Sequence, residues 1–387
     1  MCTKKLITNW IAMLAAAIAL AADQVAVTDV TARQLAMNDL KVTQIAPWGL
    51  AIDFDIEGAI ANYVLDVRSI TSDGAVTNVA KTLLGDVGCS NGAHRVYWNT
   101  AKDEISIEKE RATIMVGYRP PRYCIIDLSG GTNATSFAVS YRDTPPEGGF
   151  NVAAYKTTNL VLRCCSAGAE PLGRYSLTKD FYAGLFEVTQ KQWELVMGTK
   201  GTNETKLKGV GKTYPAYFVA SYNDIRGSTL GANWPASSEV DAASFMGVLR
   251  AKTGLTELDL PTEAQWEYTC RAGTTTVYYT GDDEAALATA GWYWSNSDST
   301  THPVGEKTAN AWGFYDMHGN VWEWCLDWEG CELSGSDPIG AATGTNRILR
   351  GGGWGTGYEY ATCSGRTYVC TPDDYGIYGF RVFMTVK

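Results

Sequence analysis

Apolar residues change their spacing midway along this 387-residue chain, and that change most limits the folds open to it. From about residue 25 to 143 they alternate with polar ones, as in Ala51-Ile-Asp-Phe-Asp-Ile56, Tyr63-Val-Leu-Asp-Val67, Ala112-Thr-Ile-Met-Val116 and Ser136-Phe-Ala-Val-Ser-Tyr141. A period of two puts successive side chains on opposite faces of a strand. Turn signals such as Ser72-Asp-Gly74 and Ser129-Gly-Gly131 separate the strands at sandwich-like spacing. Residues 23–143 are therefore expected to form an all-β, immunoglobulin-like sandwich. Thr144-Pro-Pro-Glu-Gly-Gly149 has no apolar face and opens a linker expected over 144–157. Beyond it helices begin. Thr189 with Gln192, and Thr262 with Gln265, are capping boxes, stopped at Gly198 and Gly273. Ser238 to Gly254 carries Ala242, Phe245, Met246 and Leu249 at helical spacing, which reads as core packing. After residue 274 turns, Gly and aromatics dominate, so 158–387 reads as an α+β domain of irregular type.

At 45% hydrophobic and 11% aromatic, the chain can bury real cores and is not of disordered composition. Forty-two acidic against 32 basic residues give a formal charge of −10. Such a surface repels phosphate backbones, and no Lys/Arg run offsets it, so nucleic acid is not an expected partner. Lys4-Lys5 followed by the apolar run Ile11 to Ala22, with Ala19-Leu20-Ala21 as an A-x-A cleavage pattern, reads as an export leader over 1–22. No other segment approaches membrane-spanning length. Export permits disulfides. With Cys2 in the leader, an odd number of cysteines remains, so one thiol stays free or pairs between molecules. The partners of Cys89, Cys124, Cys164, Cys165, Cys325, Cys331 and Cys370 are left open.

Four stretches of the second half occur in a telling order: Phe186-Glu-Val-Thr-Gln-Lys-Gln-Trp193, Leu260-Pro-Thr-Glu-Ala-Gln-Trp-Glu-Tyr268, Gly313-Phe-Tyr-Asp-Met-His-Gly-Asn-Val-Trp-Glu-Trp324, and Arg350-Gly-Gly-Gly-Trp354 with Gly379-Phe-Arg381. Together they resemble the formylglycine-generating enzyme (sulfatase-modifying factor) family over roughly residues 158 to 387. That resemblance implies a variant of the C-type lectin fold. The family's oxidases convert a sulfatase cysteine to formylglycine with copper and oxygen, using a C-x4-C pair just after the Gly-Gly-Ser-aromatic motif; soft thiolates select Cu(I). Here that window, Trp354 to Ala361, has no cysteine, and Gly353 replaces the motif's serine. No copper is expected.

The resemblance further implies a Cys270–Cys363 disulfide, since Cys363 of Cys363-Ser-Gly-Arg366 and Cys270 fall where the family has a bonded pair. A second family disulfide is lost at both ends, near Phe245-Met246 and at Val382. It also implies a structural Ca2+ held by Asp316, the carbonyls of Gly319 and Val321, and Glu323, a set of hard oxygen ligands on one tight turn. The plainer reading of that turn is an acidic loop pinned by hydrogen bonds.

Conventional catalysis has little to draw on. The three histidines, His94, His302 and His318, stand beside no nucleophile elbow. The family's iron-dependent sulfoxide synthases need a separate histidine-bearing domain, which an all-β half with one His does not supply. Asp373-Asp374 after Pro372 reads as a solvated turn. What remains is the closing stretch, with Trp354, Thr356, Tyr358, Tyr360, Thr367, Tyr368, Asp373, Asp374, Tyr375 and Tyr378 among small residues, the composition of a recognition surface. It resembles the variable region of proteins diversified by retroelements, in which Asn codons are randomised at adenines between fixed frame residues. The expected protein is thus an exported, non-catalytic binder whose C-terminal loops hold a protein or glycan ligand. The alternative is a formylglycine-family oxidase with a degenerate or unrecognised active site.

Overall fold

The computed structural model describes residues 15–21, 24–30, 36–46, 49–57, 64–71, 77–85, 92–100, 102–103 and 112–386, apart from 200–207, 219–220, 331 and 370–376. The chain divides into two compact units, Met1–Pro121 and Arg122–Lys387.

The first unit is all-β among its described residues. One sheet runs in the order Gln24–Val30, Ala15–Ala21, Ala112–Arg119, Val64–Thr71, Thr77–Val79, and a second in the order Ala36–Ala46, Gly49–Glu57, Gly92–Asn99, Leu83–Gly85. The alternation expected from sequence is obeyed: Ile52 and Phe54 are buried, while Asp53 between them turns outward to an ion pair with Arg95. Ala15–Ala21 lies inside the segment expected as a leader, yet here it is a strand between two others. Cleavage after it would remove that strand from the sheet.

The second unit begins earlier than the sequence suggests. Tyr123–Asp127 and Ala138–Arg142, expected in the sandwich, pair with each other, and Tyr123–Asp127 also pairs with Asn159–Cys165. The residues 144–157 expected as a linker thus connect strands of a single sheet and contain a short helix, Ala153–Thr157. That sheet has the order Ala138–Arg142, Tyr123–Asp127, Asn159–Cys165, Phe181–Gly184, Phe383–Thr385, Leu258–Asp259. The last strand of the chain therefore lies beside one of the unit's early strands. A four-stranded sheet, Arg366–Val369, Arg347–Arg350, Trp322–Trp328, Tyr378–Gly379, carries the closing stretch.

Both capping boxes form, at Thr189–Gln192 for the helix Gln190–Met197 and at Thr262–Gln265 for Glu263–Arg271. The helix expected from Ser238 begins only at Phe245, capped by Ser244. Asp241 explains the delay: its carboxylate accepts from the backbone N–H of Thr229 (3.0 Å) and Leu230 (2.6 Å) and is held in a turn. The buried faces of the helices meet the frame motifs. Trp193 stacks on Phe245 with centroids 5.4 Å apart, and Phe380 of the Gly-Phe-Arg motif meets Trp193 edge-on at 6.1 Å. Each such buried ring contributes about 1.5–3 kcal/mol.

Candidate functional site

The closing stretch is fixed by an ion-pair network beneath it. Arg350 is 2% exposed and donates to Glu263 and Glu267, both at 2.8 Å. Arg271 joins Glu267 (2.9 Å) to Glu170 (3.1 Å), Arg174 meets Glu170 at 3.0 Å, and Arg366 reaches Glu263 at 2.9 Å. Burial alone would push Glu267 up, but Arg350 and Arg174 hold it below the ordinary carboxylate range. The glycines after Arg350 have a geometric reason: Gly351 and Gly352 have φ of 96° and 76°, and a Cβ on Gly352 would lie 3.0 Å from Ala361.

From that frame the loops rise. The Trp354 N–H donates to the Asn320 carbonyl at 2.8 Å, and Ser297 Oγ donates to the Trp354 carbonyl at 2.8 Å. Thr356 Oγ1 donates to the Gly353 carbonyl and accepts from its N–H, both at 2.9 Å. Its hydroxyl is thus used within the turn, a different place from the contact role expected of it. Tyr358–Tyr360 is one 3-10 turn, and Tyr278 Oη donates to the Tyr358 carbonyl at 2.9 Å. Arg366–Val369 then runs antiparallel to Arg347–Arg350. This arrangement sorts the expected contact residues. Tyr358, Tyr360 and Tyr368 are 46%, 49% and 51% exposed, and Trp354 and Thr367 are half-buried. Tyr378 packs edge-on against Trp324 at 5.5 Å and belongs to the frame. Asp373, Asp374, Tyr375 and Cys370 lie outside the described residues.

Cys270 and Cys363 are brought together. One ligand atom from each, and one from His318, all lie within 4.8 Å of one another, fully buried, and the two sulfurs carry no bond between them. As thiols they share a proton unequally. The Cys270 S–H holds Cys363 down to about 5, whereas burial pushes Cys270 well up. His318 Nε2 already accepts from the Tyr279 N–H at 3.1 Å, and its ring stacks on Tyr279 at 4.5 Å, so the imidazole is committed to packing. Both thiols are fully buried.

The turn expected to hold calcium is partly committed. Gly319 has φ of 77°, and a Cβ there would meet the Trp292 carbonyl oxygen at 2.0 Å, so the bend is tight as expected. Glu323, however, is held by Arg381 (2.7 and 3.2 Å) and by Trp266 Nε1 (2.8 Å). Asp316 keeps one oxygen on the Gly305 N–H at 2.7 Å, while its buried Oδ1 has no partner. Glu187, not singled out from sequence, grips the same turn by accepting from Asn320 Nδ2 at 2.7 Å and the Val321 N–H at 3.2 Å. Three buried carboxyls share Arg381, burial pushes Glu187 and Asp316 up, and the orphaned Asp316 oxygen fits a hard cation. Glu323 does not stand open to one.

Asp316 and a second buried carboxyl, Asp327, which accepts from the Glu263 N–H at 2.7 Å, set a pH dependence. Burial pushes Asp316 up to about 6 and Asp327 up to about 7 from 3.8. A carboxyl with its folded pKa raised contributes stability below the unfolded value and loses it as pH rises through the folded one. Without added cation, stability is therefore expected to fall between about pH 4 and 7, by on the order of 2–4 kcal/mol for Asp327. Thermal scans across this range should show the fall, reduced in Asp327→Asn; an equally steep fall in that variant would contradict the assignment.

A groove of about 670 Å3 lies elsewhere, lined by Trp234, Val240, Arg250, Asp259, Leu260 and Phe383. Arg250 (3.0 Å) shares Asp259 with the buried Arg226 (2.6 Å), and none of the exposed tyrosines lines the groove.

Comparison with known proteins places residues 146–386 under the model of the sulfatase-modifying factor enzyme 1-like domain. The chain is similar to the chaperone protein LppX of Paenibacillus barcinonensis, 31% identical over 206 residues, covering 45% of this chain and 69% of that one. It is 36% identical over 114 residues to the formylglycine-generating enzyme of Streptomyces coelicolor, covering 24% of this chain and only 35% of that enzyme. Among solved structures, Treponema denticola variable protein 1 aligns with a TM-score of 0.47 at 25% identity, over 59% of this chain and 96% of that one. Among the described residues no helix is long and apolar enough to cross a membrane.

Proposed function

We propose, for a chain that belongs to the family of sulfatase-modifying factor enzyme 1-like domains, that its C-terminal loops bind a ligand and do not oxidise cysteine. The observation that carries this reading is the contrast between frame and loop. Arg350, Gly351, Gly352 and Arg366 are locked from below, whereas Tyr358, Tyr360 and Tyr368 project from that frame with roughly half their surface exposed. Rings presented this way give contact area at low entropic cost. The oxidase chemistry implied by the family would need two thiolates in the same window, and Trp354 to Ala361 contains none.

The finer parts of the reading are ours as well. The first unit is an immunoglobulin-like sandwich, and the protein is exported after loss of residues 1–22; N-terminal sequencing of secreted protein should begin at Asp23, and a retained Met1 would refute export by this leader. Cys270 and Cys363 form a disulfide in the oxidised protein. A calcium ion binds at Asp316 Oδ1 with the carbonyls of Gly319 and Val321. The stretch between Trp354 and Tyr378 is a diversified one, which a gene without adenine-randomised Asn codons there would exclude. Purified protein offered Cu(I) and a cysteine-bearing sulfatase-motif peptide should consume no oxygen; turnover with bound copper would restore the oxidase reading.

A further inference from the structure

The exposed tyrosines have a neighbour that lies far from them in sequence. Trp294 is 71% exposed, more than any other large aromatic among the described residues, and its backbone N–H donates to the Thr356 carbonyl at 3.0 Å. That bond sets Trp294 against the turn that leads into Tyr358. The adjoining Asn296 fixes the loop, accepting from the Tyr293 N–H at 2.8 Å and donating to the Gly291 carbonyl at 3.0 Å. An indole presented to solvent from a pinned backbone is an apolar face that no described residue covers.

The charges around this face have one predominant sign. Tyr293, next to Trp294, donates its hydroxyl to Glu284 at 3.0 Å, and Asp282 and Asp283 precede Glu284, all three exposed. Glu359 stands exposed between Tyr358 and Tyr360. Tyr278 Oη donates to the Tyr358 carbonyl at 2.9 Å beneath this loop, and burial, with Tyr358, Glu284 and Glu359 nearby, pushes Tyr278 up to about 12. Two of the described cations are already engaged. Lys307 lies over the Trp292 ring at 3.8 Å and donates to the Ala288 carbonyl at 2.7 Å, and Arg366 is bound to Glu263.

We infer that Trp294, with Tyr358, Tyr360 and Tyr368, forms a docking face for a basic polypeptide segment, whose Lys or Arg side chains lie on the rings and are balanced by Glu284 and Glu359. Cations are attracted to the faces of Trp and Tyr, most strongly Trp. Complementary charge then sets encounter and selectivity. Trp294 comes from outside the closing stretch, so it is a constant anchor whatever occupies the interchangeable positions. This inference rests on the binding function proposed above and names the chemistry of what is bound.

The probe is a synthetic Lys/Arg/Gly peptide of about ten residues, titrated into the full chain by calorimetry and by tryptophan fluorescence, beside neutral Ser/Gly and Glu-rich peptides of equal length. The basic peptide alone should bind, more weakly as salt rises. Trp294→Ala should weaken it about tenfold, and Glu284→Gln with Glu359→Gln several-fold, whereas Glu147→Gln with Glu239→Gln, on other loops, should not. Equal binding of the neutral peptide, an unchanged Kd for Trp294→Ala, or an equal loss in the control pair would overturn the inference. If the basic peptide fails while the three tyrosines still prove necessary for capture of some other partner, the cationic ligand falls and the binding function stands.

Discussion

Arg350→Met is expected to lower the unfolding free energy by about 3–5 kcal/mol, the usual cost of removing one partner from a buried ionic network. The guanidinium is fully desolvated, and it is the group shared by Glu263 and Glu267. Without it Glu263 keeps only Arg366, and Glu267 keeps Arg271 and Arg174. The loss should be seen in urea unfolding with an unchanged slope. Adding Glu263→Met should recover part of it, because part of the cost is a buried Glu263 carboxylate left with one guanidinium in place of two. A change under about 1 kcal/mol would mean that the network does not hold the frame. The same network gives the acid limb of the pH profile. Glu267, with its folded pKa lowered, contributes stability above its unfolded value that is lost as pH falls. Together with the opposite behaviour of Asp327, this predicts a stability maximum in mildly acidic solution.

Cys270→Ala in protein recovered from an oxidising compartment should cost about 2–5 kcal/mol. The chain between Cys270 and Cys363 is long, so a bond there removes much freedom from the unfolded state, on the order of 4–5 kcal/mol in the chain-entropy account. Both sulfurs lie in the core cluster with Trp266 and Met317, so the alanine also leaves a small void. Non-reducing peptide mapping should find the two cysteines in one linked pair, and reductant should lower the melting temperature of the wild type but not of Cys270→Ala. Free thiols at both positions in oxidised protein, with no effect of reductant, would contradict the pairing.

Much of the second unit was legible because its signals are local. Capping boxes at Thr189 and Thr262 span three residues, and both helices start where those boxes place them. What was not legible depends on distant partners. Tyr123–Asp127 alternates like any sandwich strand, and only its pairing with Asn159–Cys165 assigns it to the second unit. The helix expected from Ser238 starts only at Phe245 because Asp241 is held by backbone 11 and 12 residues away. At the candidate site, Glu187 and Arg381 stand inside the quoted motifs, but their roles follow from contacts 134 and 58 residues apart. Trp294 gave no sign of its place, because aromatic content says nothing about which ring faces solvent. Tyr358, Tyr360 and Tyr368 are exposed, while Tyr378 is held by Trp324.

The central claim is that the loops between Arg350 and Arg381 hold something and transform nothing. Its most direct test is capture from arrayed peptides, proteins and glycans by the wild type and by the Tyr358→Ala, Tyr360→Ala, Tyr368→Ala triple variant, with circular dichroism to confirm that both are folded. The prediction is a defined set of captured partners for the wild type and loss of that set, by tenfold or more in signal, in a triple variant of unchanged melting temperature. Capture that survives all three substitutions in a folded protein would contradict it.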